Sequence, residues 1–315
     1  DFKDYGYNVE TNVSRKYHGY DIDEDKRIVI STWQSLYKMP KKFFEDYGAV
    51  IGDEAHLFKA VSLTKIMTKL TDCKYRIGLT GTLDDSKTHK LVLQGLFGTV
   101  NRVVSTKQLI DKKQLAQLKV MCLNLKYPEV EAKKVYGVKY FEELEYLTQN
   151  TARNKYIRNL ALALKGNTLL LFQLVEKHGE ILFNLIKEKA DPKRKVFFVY
   201  GGTETDDREK IRAITEKSDN AIIVASFGTF STGINIRNLH NIVFSSPTKS
   251  PIRVLQSIGR GLRVGDKKDS ATVYDISDDL TYKDKKNFTL THFQERVGIY
   301  NREGFNYEIH TVELK

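Results

Sequence analysis

The chain has 315 residues, of which 41% are hydrophobic and 29% charged, with a formal net charge of +11. This apolar share excludes wholesale disorder, no apolar run is long enough to span a bilayer, and the first ten residues are too polar for a secretory signal. Two cysteines, Cys73 and Cys122, exclude a disulfide framework and a cysteine zinc cluster, so a soluble, intracellular protein of about two domains is expected.

In chain order, residues 27–31 (RIVIS), 49–51 and 76–79 (RIGL) read as buried strands, with helical spacing over 61–70. A basic middle follows. Residues 106–165 carry 12 basic and 6 acidic side chains, a net of +6, against +2 for residues 1–105. Lys107, Lys112, Lys113, Lys119, Lys126, Lys133 and Lys134 make up much of this excess, and a helix is expected over 140–164. A second series starts at 168–174 (TLLLFQL) and continues with a helix over 176–189 and the strand 195–200 (KVFFVY). A helix over 206–217 and strands over 221–225, 241–244 and 271–276 complete it. Two rounds of strand–helix alternation predict an α/β protein of two doubly wound parallel-sheet domains. The expected boundaries are 1–105 for the first domain, 106–154 for a basic connecting segment, and 155–315 for the second domain with its tail. The pattern assigns no role to the tail from Tyr282 onward. A net positive charge favours a polyanionic partner, although a solvated Lys-rich surface gives the same balance.

The sharpest local signal is Asp53-Glu54-Ala55-His56, placed directly after an apolar strand. Open α/β sheets bind ligands at the carboxyl ends of their strands. An Asp there can hold the magnesium ion of a nucleoside triphosphate through the ion's water shell, and the adjacent Glu can polarise an attacking water. The plain alternative is an acidic turn that caps the next helix. Thr80-Gly81-Thr82 follows the next strand, where two hydroxyls can link a sheet edge to a neighbouring domain or simply terminate the strand. Downstream lies Gln256-Ser257-Ile258-Gly259-Arg260-Gly261-Leu262-Arg263. On a helix Arg260 and Arg263 share a face, and two guanidinium groups suit the charge that develops on a transferred phosphoryl group. Two glycines weaken the alternative of an ordinary basic surface helix.

This order of motifs, with the strings STWQSLYK (31–38), VASFGTFSTGINIRNLHNIV (224–243) and VLQSIGRGLR (254–263), resembles the superfamily 2 helicases, most of all those of phage recombination and repair. The resemblance spans nearly the whole chain. It implies two RecA-like domains, the first of them N-terminally truncated, that clamp ATP between them and run nucleic acid across both. It further implies Asp53 as the magnesium-coordinating acid, acting through water, and Glu54 as the catalytic base. His56 would couple the nucleotide to Gln256, Thr80 and Thr82 would belong to the interdomain coupling motif, and Arg260 and Arg263 would be arginine fingers. Thr32, Trp33, Gln34, Gly201, Gly202 and Thr232 would touch the nucleic-acid strand, and Gly233 would lie near the ATP cleft. ATP and Mg2+ are the implied cofactors, and single-stranded, forked or branched DNA the partner, in the cytoplasm (that of the host if the gene is a phage's) and away from membranes. Backbone-tracking motors read phosphates more than bases, so the residues do not distinguish DNA from RNA.

One departure stands out. The chain contains no GxxxxGK[ST] string, whose amides and Lys would hold the triphosphate. The nearest text, Lys165-Gly166-Asn167-Thr168, has its Lys on the wrong side. The chain is therefore expected to begin inside the first domain, to leave sheet edges there unpaired, to bind ATP poorly and to hydrolyse it slowly or not at all by itself. Two other classes stay open: an ATP-independent nucleic-acid binding or annealing module, and the motor subunit of a restriction system.

Overall fold

The computed structural model describes residues 2, 5–16, 22–23, 25–81, 87–101, 103–233, 236–248, 250–262 and 268–314, without the side chains of residues 59, 87–89, 231–233, 251–253 and 260–261. It divides into two units, Asp1–Asn101 and Arg102–Lys315.

In the second unit, seven strands form one parallel sheet in the order β11-β5-β10-β9-β6-β8-β7. They are β5 (Gln117–Lys126), β6 (Thr168–Phe172), β7 (Val196–Val199), β8 (Ile222–Ser226), β9 (Asn241–Phe244), β10 (Ser270–Asp279) and β11 (Asn306–Glu313). The central strands are continuous apolar runs because both faces are covered. Leu169, Leu171, Ile223, Ala225, Ile242 and Phe244 point into one core, while Leu170, Phe172, Ile222, Val224 and Val243 point into the other. Each of these side chains is almost wholly buried.

The middle of the chain departs from expectation. Residues 106–154 belong to the second unit and do not form a connector, since β5 pairs along its whole length with β10 and along most of it with β11. The expected helix over 140–164 is two helices, Tyr140–Gln149 and Thr151–Ala163. Asn150 breaks it: its backbone is extended and its side chain accepts from the Arg153 amide at 2.9 Å, capping the second helix. The helix expected over 176–189 opens with a π-turn at Val175–Gly179 before Glu180–Lys189. A Cβ on Gly179 would lie 2.5 Å from the Phe172 ring, so this turn lies directly on β6. The tail becomes the helix Phe288–Glu303 and the edge strand β11. Lys165-Gly166-Asn167-Thr168 proves to be a structural entry to β6. The buried Asn167 amide donates to the carbonyls of Thr215, Ser218 and Asn238 (2.7–3.0 Å), and its oxygen accepts from Ala221.

In the first unit, β1 (Val13–Lys16) pairs with β2 (Ile28–Ser31), and β3 (Ala49–Gly52) pairs with β4 (Tyr75–Gly78), both in parallel. Val50 and the helix Val61–Lys69 pack into a core of Phe44, Leu63, Ile66, Met67, Leu70 and Cys73. The strands expected to be buried are covered on one side only: Ile51 is 66% and its register partner Ile77 48% exposed. The paired Gly52 and Gly78 let the edge-to-face Phe58–Phe97 pair lie flat on the covered side, and a Cβ on either would come within 2.8–2.9 Å of these rings.

Candidate nucleotide and nucleic-acid sites

In the first unit, β3 delivers Asp53 and Glu54 at its carboxyl end. The Glu54 amide donates to Asp53 Oδ1 at 2.9 Å, and Glu54 sits in the left-handed region (φ 49°, ψ 49°). A residue with a Cβ held there stores about 1–3 kcal/mol of strain, a cost that concentrates at functional sites. The Ala55 amide donates to the Leu79 carbonyl at 2.8 Å, stitching the turn to the end of β4. His56 is buried, with Nδ1 3.0 Å from Thr80 Oγ1 and 3.3 Å from Glu54 Oε2. Four of the expected residues, Asp53, Glu54, His56 and Thr80, therefore meet at two adjacent strand ends, those of β3 and β4. Thr80 is engaged within its own unit, and Thr82 lies outside the described residues. Both carboxylates are accessible: Asp53 is exposed, and the Glu54 side chain retains 45% of its surface. An accessible carboxylate pair suits a hydrated magnesium ion held through water.

Thr32 ends β2 and is the N-cap of the helix Trp33–Tyr37, with its hydroxyl 3.1 Å from that of Ser35. Trp33 is 42% exposed, so it presents its ring to solvent instead of joining the core, and Gln34 beside it is also exposed.

In the second unit the expected residues after β7 and β8 lie at the carboxyl edge of the sheet, whereas the helix after β9 runs back to the amino edge, where the Leu262 carbonyl accepts from Ala116, the residue before β5. Gly201 and Gly202 form an exposed turn after β7, fixed by Arg208, whose guanidinium donates to the carbonyls of Thr203 (2.8 Å) and Gly201 (3.0 Å). After β8, the Ser226 hydroxyl accepts from the Thr229 amide at 3.3 Å and starts the helix Phe227–Gly233, which ends with positions 232 and 233. After β9, residues 245–248 lead towards the helix Pro251–Gly261. Its buried positions Val254, Ser257 and Ile258 face the core, and Gln256 is half-buried. Arg263 lies outside the described residues.

Sequence reasoning missed the groups that fix this last segment. Arg153 and Asp278, both fully buried, pair through Nε–Oδ1 at 2.7 Å and Nη2–Oδ2 at 3.1 Å, and Arg153 Nη2 also donates to the Ser245 carbonyl at 2.8 Å. On the other sheet face, buried Arg296 pairs with Asp275 at 2.8 Å and donates to the Thr248 carbonyl at 2.8 Å. The hydroxyls of Tyr127 and Tyr300 donate to the two carboxylates. His178 Nδ1 lies 2.9 Å from the Ser246 hydroxyl. Two buried ion pairs thus grip the 245–248 segment from both faces. Burial works against the Arg153 charge, and the Asp278 carboxylate more than offsets it, so the guanidinium pKa ends above its ordinary value. Burial, then Asp275, pushes the Tyr300 hydroxyl well up, and burial, then Asp275, raises the Cys122 thiol to about 12. The available signal was Asp275 and Asp278 inside the strand string VYDISDD, beside buried Val273 and Ile276, where an unpaired charge would not be tolerated.

Comparison with known proteins bears on these sites. Residues 1–85 match the family "Type III restriction enzyme, res subunit", and residues 152–265 match "Helicase conserved C-terminal domain". The chain is 36% identical over its full length to the ATP-dependent DNA helicase uvsW of Enterobacteria phage T4 and spans 65% of that protein. The crystal structure of T4 UvsW aligns over the full chain with a TM-score of 0.56 and 34% identity, again across 65% of its length. A putative ATP-dependent RNA helicase, L396 of Acanthamoeba polyphaga mimivirus, is 23% identical, over 85% of this chain and 51% of that one. An HsdR-subunit fragment of a type I restriction enzyme from Vibrio vulnificus YJ016 shares the fold, with a TM-score of 0.68 at 17% identity over 96% of this chain and 55% of that one. The order of the motifs, the parallel sheets that carry them and the full-length similarity to a phage helicase agree: the chain belongs to the superfamily 2 helicases.

Proposed function

We propose that the chain is the motor of an ATP-dependent DNA helicase or translocase that acts on forked or branched DNA in recombination and repair. The observation that carries this reading is the buried His56, which ties the strained Glu54 turn to Thr80 at the end of the neighbouring strand. A surface cap needs no buried imidazole joining it to a second strand end.

In this reading, Asp53 orients the water shell of Mg2+, and the ion, when bound, neutralises charge on the phosphates. Glu54 accepts a proton from the attacking water. The left-handed backbone at Glu54 holds that carboxylate beside Asp53, and His56 relays its position to Thr80 and Gln256. Thr82 joins Thr80 in coupling the two units. Arg260 and Arg263 stabilise charge on the transferred phosphoryl group, and the buried Arg–Asp pairs set the segment that leads to their helix. Thr32, Trp33, Gln34, Gly201, Gly202 and Thr232 grip the nucleic-acid strand, with Gly233 close to the nucleotide. The cellular site is the cytoplasm, and among the described residues no helix is long and apolar enough to cross a membrane. Identity to a DNA helicase over the whole chain supports DNA over RNA as the substrate.

A second reading is favoured by one specific feature. The sequence contains no GxxxxGK[ST] string, as an ATP-independent binding or annealing module would. The carboxylate pair distinguishes the two. A motor hydrolyses Mg·ATP through Glu54, slowly here for want of that string, and Glu54→Gln removes the turnover. An annealing module binds DNA equally well with and without this substitution and shows no turnover at all.

A further inference from the structure

Strand β10 ends at Asp279, and the chain then reverses in a tight turn. Tyr282 and Lys285 form an antiparallel bridge with reciprocal backbone hydrogen bonds of 3.2 and 3.0 Å. Between them, Lys283 and Asp284 both have positive φ, 46° and 60°. Two-residue turns of this type are ordinarily built from Asn and Gly, because residues with a Cβ resist that region. The strain is held on a firm base. The Asn287 amide donates to buried Glu143 and its oxygen accepts from Leu280, while Glu143 also accepts from the Phe288 and Thr289 amides. Backbone strain that the surroundings hold in place points to use.

The turn presents aromatic faces with cations over them. The Tyr282 ring meets Tyr136 edge-to-face, with centroids 5.3 Å apart, and Tyr136 is 47% exposed. The ammonium groups of Lys133 and Lys283 lie 5.5 and 5.6 Å from the centre of the Tyr282 ring, and that of Lys285 lies 5.6 Å from Tyr136. The local acids are Glu129, Glu131 and Asp284. Glu129 pairs with Lys133 at 3.0 Å, and Glu131 is taken by Lys134 and the Tyr146 hydroxyl. Among the described residues, Lys283, Lys285 and Lys286 pair with no carboxylate. The exposed Tyr136 ring, the half-buried Tyr282 ring and the spare ammonium groups beside them match the chemistry of unpaired bases on a phosphate backbone.

The turn opens on the same carboxyl edge as Gly201, Gly202 and the helix Phe227–Gly233. Strand order sets β10 three steps from β8 and four from β7, roughly 14–19 Å at the usual strand spacing. We propose that Tyr136, Tyr282, Lys133, Lys283 and Lys285 form a second contact for single-stranded DNA, separate from the residues that follow β7 and β8. This rests on the reading of the chain as a nucleic-acid motor.

The test is binding of a fluorescent oligo-dT of about 20 nucleotides, near the upper site size of one single-strand-binding module, to the full chain between ~50 and ~200 mM salt. Lys283→Ala/Lys285→Ala should flatten the dependence of log affinity on log salt by about 1.4, two phosphate contacts at ~0.7 each on a single strand. Tyr136→Ala should weaken binding about 5- to 150-fold, the range for losing one stacked base, whereas Tyr136→Phe should retain it. Both alanine variants should keep the parent's urea midpoint, which a packing defect would lower. If the parent binds and neither variant changes affinity or slope, the second contact is wrong and the motor reading stands. If the parent does not bind oligo-dT at all, both fail. A change seen with oligo-U and not with oligo-dT would overturn DNA as the occupant.

Discussion

Replacing Arg153 with Met tests the clamp on the segment leading to Gln256 and position 260. Asp278, with no exposed surface, now receives two hydrogen bonds from Arg153 and one from Tyr127. In the variant a buried carboxylate keeps only the tyrosine hydroxyl. Removing one partner of such a pair costs about 3–5 kcal/mol, mostly because the remaining charge is uncompensated. The Ser245 carbonyl also loses its 2.8 Å donor, which adds about 1 kcal/mol. Against a domain stability of about 5–15 kcal/mol, this is about a quarter or more of the total. Adding Asp278→Asn removes the orphaned charge, so the double variant should regain about 2 kcal/mol or more. Urea unfolding followed by far-ultraviolet circular dichroism reads both quantities. A cost below about 1 kcal/mol for the single variant, or a double variant no more stable than the single, would refute the reasoning, because charge burial would then not set the energy.

Three other outcomes are expected. Gly78→Val should lower the stability of the first unit by about 1–3 kcal/mol in thermal unfolding, because its Cβ would meet the Phe97 ring at 2.9 Å. Asn167→Ala should cost about 3 kcal/mol or more in urea, since three carbonyls and the Ala221 amide lose their side-chain partner at the entry to β6. Burial, then the Arg153 charge, holds His178 well below the ordinary histidine pKa, so it is neutral in the folded chain. The unfolded chain takes up that proton below about pH 6.5, so stability should fall as pH drops from ~6.5 to ~5, and His178→Gln should remove one proton's worth of that slope.

Much of the second unit was legible because parallel strands buried on both faces are written as unbroken apolar runs, as in TLLLF and IIVA. β5 and β11 were not. β5 alternates buried residues such as Leu118, Val120 and Cys122 with exposed Gln117 and Lys119, so its lysines read as a basic linker. β11 is an edge strand, largely exposed, with no apolar run to mark it. The Asp53-Glu54 turn was reached through its motif, but the contact between His56 and Thr80 was not, since residues 24 apart carry no local signal of contact. The buried Arg–Asp pairs join residues 125 and 21 positions apart and were invisible for the same reason.

The most direct test of the central claim is hydrolysis of radiolabelled Mg·ATP by the 315-residue chain in excess over nucleotide, with and without single-stranded DNA, beside its Glu54→Gln variant. We expect a slow rate that DNA raises and that Glu54→Gln lowers by about 100-fold or more, the usual scale for losing a positioned general base. Equal and measurable rates in the parent and the variant would contradict the assignment of Glu54 and with it the motor.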